Sequence, residues 1–455
     1  MRSIINKIYY YSPVILQNFI ITIYGLKLIR ERYGFYYKKK LNYYLNIEKN
    51  NIEQLKKIQL QEFKSLLKNA KEKSKFYSEL YQNINVDDIN TLECIKKLPI
   101  VDKEDVRKNI NDIYTIPKKD SLIVFTGGTT GKSLEIRYTK QDLQHRAAKQ
   151  DAWKTGLGIN PFKDKKATFS GNHISHGIFQ KNIFWRDNLF YRQRVYSTFD
   201  LSPKNIGYYI NNLNIYKPQI LNGFVSAIYL LAKYAGLQNL SINFKPKAIF
   251  LTSETLLDFQ RITIEKFFNS KVYNEYGSGE GSPYITECEK GNLHYNITTG
   301  IIENIKFDDE EEMVITSFRS NGTPLIRYRI GDKLNFKDGK CECGNINPLV
   351  RDISGRKVDF LYSEQKGPIS LSHLSDVIKG MPNCVQETQF IQKNINFIIV
   401  KLVIDKKFFM PEHENKIMSQ LKYRFGTNMK IELQYINKID RTDGGKFQLI
   451  INEIN

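Results

Sequence analysis

Between Leu122 and Thr139 two apolar runs flank a centre rich in glycine and threonine. Leu122–Phe125 is continuously apolar, and beyond the centre Leu134, Ile136 and Tyr138 alternate with Glu135, Arg137 and Thr139. A period of two predicts a strand, so the pattern here is strand, loop, strand. From about 121 to 340 similar short apolar runs alternate with helical stretches: "KAIFLTSE", then "TLLDFQRITIEKFF", then "KVYNEYG". That alternation predicts an α/β architecture. Residues 313–318 and 324–330 read as strands, and the acidic run Asp308 to Glu312 as a solvated loop. Residues 50–120 read as helical with a polar face, Leu55, Ile58, Leu66 and Leu67 standing near helical spacing. After about 356 the pattern predicts a helix (370–380), strands (386–392 and 396–404), a helix (411–424) and a last strand. The expected division is therefore a large domain over 1–355 and a small, mobile α+β domain over 356–455.

The uncharged stretch 8–26 approaches the length of a membrane span, yet Ser12, Pro13, Gln17, Asn18 and Thr22 make it too polar for one. It also lacks a small-residue cleavage site. Residues 1–50 are accordingly predicted to be a helical extension packed on the body, or lying on a membrane surface with "YYKKK" (36–40) nearby.

Composition changes this picture in one respect. The 455 residues are 41% hydrophobic and 25% charged, which is ordinary, but the formal charge is +20. Such a surplus suits a protein that meets anions, or reflects a Lys-, Asn- and Ile-rich habit. No DNA- or RNA-binding motif accompanies it, so no nucleic-acid partner is expected. Five cysteines do not make a disulfide scaffold. A cytoplasmic protein is expected, at the inner face of the membrane if the extension touches lipid; Cys94 and Cys384 read as buried thiols.

The centre of the opening pattern, "FTGGTTGKS", imitates a Walker A loop and fails twice. Thr126 stands where the first glycine is required, and a strand follows where a helix should open. A Gly/Thr hairpin can still wrap phosphates with backbone N–H groups and hydroxyls. Four further segments follow in order: "FLTSETL" (250–256), "YNEYGSGEG" (273–281), "YRIGD" (328–332) and "DRTDGGKFQLI" (440–450). Together they resemble the adenylate-forming superfamily of acyl-CoA ligases. Within it the chain is most similar to the phenylacetate–CoA ligase-like branch that includes capsular-polysaccharide biosynthesis proteins. "SPVILQNFIITIYG", "LPIVDKEDVR" and "ILNGFVSAIYLLA" resemble that branch too, so the likeness covers nearly the whole chain.

The resemblance implies a set of roles. Thr126, Gly127, Gly128, Thr129, Thr130, Gly131 and Lys132 would form the loop holding the ATP β- and γ-phosphates. Ser253 and Glu254 would lie beside the adenine, and Tyr276, followed by Gly277, would stack on it. Glu280 would hold Mg²⁺, Asp332 would accept the ribose hydroxyls, and Arg356 would assist ribose or phosphate. Asp359 would mark the hinge, and Lys446 would bridge the substrate carboxylate and the α-phosphate. Two positions depart from the usual pattern: Gly279 where a threonine is common, and Asp440 where a proline is common. In this superfamily the region 169–188 and its continuation line the acyl pocket. His173, His176, Trp185, Tyr196 and Ser197 are therefore candidates, with plain core packing the alternative for Trp185 and Tyr196.

The implied activity is ATP-dependent, AMP-forming activation of a small-molecule carboxylic acid, with transfer to coenzyme A. Two alternatives stay open: transfer to an amine or hydroxyl acceptor in surface-polysaccharide biosynthesis, and a non-catalytic membrane-associated homologue. Cys288, His294, Cys341 and Cys343 have the donor types of a Cys₃His structural zinc site, with reduced thiols as the alternative. Similar Cys/His placement in the phenylacetate–CoA ligase-like branch implies a structural Zn²⁺ as one of two readings, with reduced thiols left open beside it.

Overall fold

The computed structural model describes residues 8–47, 50–126, 134–171, 174, 182–307, 310–354, 360–378, 384–440 and 449–454. Gly127 to Lys132, His173, His176, Arg356, Asp359, Lys446 and the expected boundary at 355/356 lie outside them.

Runs rich in β-branched and aromatic residues assemble into a ten-stranded sheet. Its spatial order is Lys333–Lys337, Leu349–Ser354, Leu293–Tyr295, Ile285–Glu287, Val272–Tyr276, Ala248–Thr252, Ile220–Phe224, Lys166–Ser170, Gln193–Ser197 and Trp185–Asn188. Five neighbouring strands, from Val272–Tyr276 to Gln193–Ser197, run parallel. Helices Val225–Leu237 and Asp258–Phe268 make crossovers between them and bury Ile228, Leu231, Ile264 and Phe268 against Ile249 and Leu251. Lys166–Ser170 has its successors on both sides, so the strand order reverses there. In open α/β sheets such a reversal leaves a crevice at the carboxyl ends of the strands. The fold is α/β, as the alternating pattern predicts.

The hairpin reading of the opening segment agrees with the structure. Leu122–Phe125 and Glu135–Tyr138 pair antiparallel, with Val124 opposite Ile136, and Leu134, Ile136 and Tyr138 are buried. Helix Ile52–Lys73 begins with a capping box between Asn51 and Gln54, worth about 1 kcal/mol. Its Gln59 donates to the Gly300 carbonyl at 2.9 Å and the Tyr295 hydroxyl at 3.1 Å. Tyr77 donates to the Pro324 carbonyl at 3.1 Å, and Val101 exchanges backbone bonds with Arg327 and Arg329. The amino-terminal helices thus complete a core whose other half arrives some 240 residues later in the chain.

Four expectations need correcting. Helix does not persist to 120: past Leu80 there are short turns, then Lys103–Lys108 and Ile110–Ile113, because Asn85 and Asp102 side chains bond nearby backbone N–H groups. The strand expected over 324–330 is two residues, Tyr328–Arg329, because Arg327 is left-handed (φ 48°) and turns its guanidinium onto Glu303. The acidic run is not wholly loop: strand Glu310–Ser317 begins within it, and Glu312 grips Arg329 with both oxygens at 2.7 and 2.8 Å. Cys94 is half-exposed where burial was expected, whereas Cys384 is buried.

The extension is the helix Val14–Arg32, laid on the sheet's edge strand Trp185–Asn188. Gly25 allows this approach, since a Cβ there would lie 2.2 Å from Asn188 Oδ1. The carboxyl-terminal part has its own sheet, ordered Lys430–Tyr435, Phe397–Ile404, Val385–Asn394 and Ile450–Asn452. Helices Leu371–Ile378 and Pro411–Phe425 close its core around Leu374, Phe390, Val400 and Leu421.

Candidate active site

At the carboxyl ends of the parallel strands lies a cavity of about 1060 Å³. Ser253, Glu254, Tyr276, Glu280 and Asp332 line it, together with Asp376 from the carboxyl-terminal part. Five residues singled out across eighty positions of sequence therefore share one wall, and each is held differently.

Tyr276 ends its strand, and its hydroxyl donates to Asp332 Oδ2 at 2.7 Å. Burial and the adjacent carboxylate raise the phenol well above its ordinary pKa, so the proton stays and one carboxylate oxygen is engaged. Among the described residues no side chain donates to the other oxygen of Asp332, which leaves it for a ribose hydroxyl donor. Ser253 is left-handed (φ 72°), a conformation that costs energy outside glycine. It turns the chain so that Glu254 accepts from Ser226 N at 2.7 Å and Ser226 Oγ at 3.0 Å. Glu254 thereby caps helix Val225–Leu237 and complements its dipole while still lining the cavity.

The turn after Tyr276 is braced from below. Ser278 N donates to Ser282 Oγ at 2.9 Å, and Tyr138 donates to the Gly279 carbonyl at 2.8 Å. The Arg146 guanidinium stacks 4.9 Å from the Tyr284 ring and reaches the Ser278 carbonyl at 3.5 Å. Gly279 has a steric reason to lack a side chain: a Cβ there would stand 3.3 Å from Thr126 Cα. Thr126 in turn closes the Leu122–Tyr138 hairpin, its N–H donating to the Leu134 carbonyl at 3.0 Å and its hydroxyl accepting from Leu134 N at 2.9 Å. Glu280 is nearly buried, faces the cavity and forms no ion pair among the described residues. A buried carboxylate aimed into a cavity suits a hard cation such as Mg²⁺.

The three described acyl-pocket candidates, Trp185, Tyr196 and Ser197, lie elsewhere. Tyr196 is fully buried, stacked 4.8 Å from Phe169, with its hydroxyl donating to Asn212 at 2.8 Å. Trp185 packs against the same core. Ser197 donates to Asp200 at 2.7 Å, and Asp200 pairs with Lys366 of the carboxyl-terminal part at 3.0 Å. Next to it the Thr198 hydroxyl and His373 Nε2 are 2.9 Å apart. None of the three lines the cavity. Arg261 and Asp376, which line it, and Arg146, which braces the Ser278 turn, carry no pattern in the sequence, because isolated charged residues on helices look like any solvated face.

Beside the cavity, Cys288, His294, Cys341 and Cys343 bring their donor atoms within 4.8 Å of one another. Cys288 and Cys341 sulfurs are 3.8 Å apart, and Cys343 Sγ lies 3.4 Å from His294 Nε2. Zinc–sulfur bonds of about 2.3 Å in a tetrahedron give sulfur–sulfur edges of about 3.8 Å. The His294 Nδ1 contact with the Asn347 carbonyl at 3.2 Å assigns the proton to Nδ1 and leaves the Nε2 lone pair for a metal. Asn345 N and Asn292 Nδ2 each donate to a cysteine sulfur at 3.4 Å, as donors around thiolates do. Burial pushes the Cys343 thiol up to about 12, a state a bound cation would reverse. These residues fit the metal.

Comparison with known proteins places the chain. It is 35% identical over 454 residues to Protein CapK of Staphylococcus aureus, covering 99% of this chain and all of that one. The chain belongs to the CapK family. Residues 361–453 match the model of the CapK C-terminal domain. Beyond CapK, the chain is 21% identical over 442 residues to the phenylacetate-coenzyme A ligase of Thermus thermophilus (88% of this chain, 97% of that one). In fold it matches 2-hydroxyisobutyryl-CoA ligase in complex with 2-HIB-AMP and CoA, with a TM-score of 0.60 at 17% identity over 89% of this chain and 91% of that one. The CapK-family chain is thus a member of the adenylate-forming superfamily in its phenylacetate–CoA ligase-like branch.

Proposed function

We propose that this protein is an ATP-dependent, AMP-forming ligase that activates a carboxylic acid as an acyl-adenylate and passes the acyl group to coenzyme A. The observation that carries the reading is the convergence of Tyr276, Glu280 and Asp332 on one cavity beneath the Thr126 hairpin. In the first step a substrate carboxylate oxygen attacks the ATP α-phosphorus, and the bond to pyrophosphate breaks. In the second a thiolate attacks the acyl carbon, and AMP leaves. Asp332 orients the ribose, Glu254 and Tyr276 flank the base, and the hairpin loop embraces the β- and γ-phosphates. Mg²⁺ held at Glu280 would neutralise charge gathering on the leaving pyrophosphate. Lys446 would bring the substrate carboxylate and the α-phosphate together, two anions that otherwise repel.

Kinship with CapK favours a second reading at the acceptor: an amine or hydroxyl in surface-polysaccharide assembly. Both share the first step. ATP–pyrophosphate exchange across aryl, fatty, amino and sugar acids tests it, and release of AMP with and without coenzyme A separates the acceptors. Lys446→Ala should lower exchange at least about 100-fold with unchanged melting; undiminished exchange overturns the assignment. The Cys288, His294, Cys341 and Cys343 cluster is proposed to hold a structural Zn²⁺ with no position open for chemistry.

A further inference from the structure

The helix Val14–Arg32 is mounted inside out. Its polar side chains face the protein: Gln17 accepts from Arg186 Nε at 2.6 Å, Asn18 accepts from Asp187 N at 3.0 Å, and Thr22 donates to the Asp187 carbonyl at 3.3 Å. Its large apolar side chains face out, with Ile15 84%, Phe19 59% and Ile23 52% exposed. At about 100° per residue these three fall within one quadrant of the helix, whereas the buried Gln17, Gly25 and Thr22 occupy the remaining arc, with Gln17 and Gly25 well away from the stripe and Thr22 at its border. Leu189 and Phe190, in the turn bonded to Thr22 through Leu189 N, are exposed as well. Scattered exposed apolar residues are normal, but a continuous stripe beside a buried polar face marks a contact surface.

Charge decides what covers it. Exposed Lys27 and Arg30 continue the same stripe toward the carboxyl end, and Lys27 is paired loosely, 3.8 Å from Glu31. Glu31 is the single acid in residues 1–47 of a chain carrying +20. A second copy of this chain would set like charges against each other, whereas an anionic bilayer supplies both an apolar interior and opposite charge. No described helix is long and apolar enough to cross a membrane. The bonds to Arg186 and Asp187 hold this one flat on the sheet edge, the posture of an in-plane anchor.

We propose that the outer face of Val14–Arg32, with the Leu189–Phe190 turn, docks the protein in-plane on an anionic lipid surface. Docking needs neither ATP nor an acid substrate, so it stands or falls apart from the ligase reading.

The test is co-sedimentation of the purified full chain with vesicles of equimolar phosphatidylcholine and phosphatidylglycerol, and with phosphatidylcholine alone. Wild type should partition onto the anionic vesicles, and Phe19→Glu with Ile23→Glu should cut that at least about tenfold. Lys27→Glu with Arg30→Glu should lose more than about tenfold on anionic vesicles and little on neutral ones, at roughly fivefold per charge. Melting is followed in both variants; if the first melts lower, the second, at exposed charged positions, carries the test. Equal partitioning of variants and wild type, no partitioning at all, or a wild-type dimer that the variants abolish without vesicle binding would each overturn the proposal.

Discussion

Glu254 illustrates what one residue reveals and conceals. The sequence places it after an apolar strand, and the structure puts it on the cavity wall, yet both its oxygens bond Ser226 at the start of the preceding helix, Val225–Leu237. Its charge therefore serves as a helix cap as well as facing the cavity where the nucleotide is proposed to bind. Tyr276 is similar: a ring on the cavity wall, proposed to flank the base, and a hydroxyl fixed on Asp332. His145 had no signal at all, being a lone histidine in a polar helix. It is 3% exposed, 2.9 Å from the Tyr44 hydroxyl, and burial near Arg319 and Lys40 lowers its pKa far below the ordinary 6.5. The unfolded chain takes up the proton that the folded one refuses. Stability is therefore fully present above about pH 6.5 and falls by about 1.4 kcal/mol per pH unit below it. Thermal melting should drop between pH 6.5 and 5.5, and His145→Gln should remove roughly 1 °C of that drop; parallel profiles would refute the claim. Motif residues such as Glu280 and Asp332 were legible because their neighbours form recognisable turns. Arg146 and His145 were not, since what matters about them is burial, which is set by distant packing.

Among elements, period was the reliable guide and context the unreliable one. Alternation at Leu134, Ile136 and Tyr138 separated a hairpin from a Walker loop, and the paired strands follow it. Elements of the carboxyl-terminal part fall within a few residues of their expected limits, because each carries its own amphipathic pattern. Tyr328–Arg329 shrank because a left-handed Arg327 and a buried ion pair overrode an apolar run. The helix Val14–Arg32 was visible as a helix, but its inverted orientation was not, since composition does not say which face is covered. The Cys288–Cys341 cluster belongs to this scale too, joining the turn after Ile285–Glu287 to the loop before Leu349–Ser354. Purified protein is expected to contain one zinc per chain. Cys341→Ser should remove it and lower melting by roughly 5 °C or more. Metal-free wild type with the same melting point would count decisively against the site.

At the scale of the whole molecule, the described residues of the two parts meet through polar and ring contacts. Lys366 pairs with Asp200, His373 meets Thr198, and the Arg424 guanidinium lies 5.0 Å from the Phe199 ring. Ser197, proposed for the acyl pocket, orients Asp200 within this seam. If the small part turns between adenylation and transfer, the seam belongs to one orientation and favours one half-reaction. Asp200→Ala should then change the ratio of pyrophosphate exchange to acyl transfer about fivefold, from a pair worth about 1 kcal/mol. Equal effects on both rates would show the seam to be merely structural. The bonds from Gln59 to Tyr295 and Gly300 carry a consequence for how the chain is made. Synthesis runs from the amino terminus at about 5–20 residues per second. Helix Ile52–Lys73 therefore leaves the ribosome roughly 12 to 48 seconds before the strands that cover it exist. Through that interval Leu55, Phe63, Leu66 and Leu67 have only near neighbours such as Tyr77 and Tyr81 to pack against and lack the half of their core that the later strands supply.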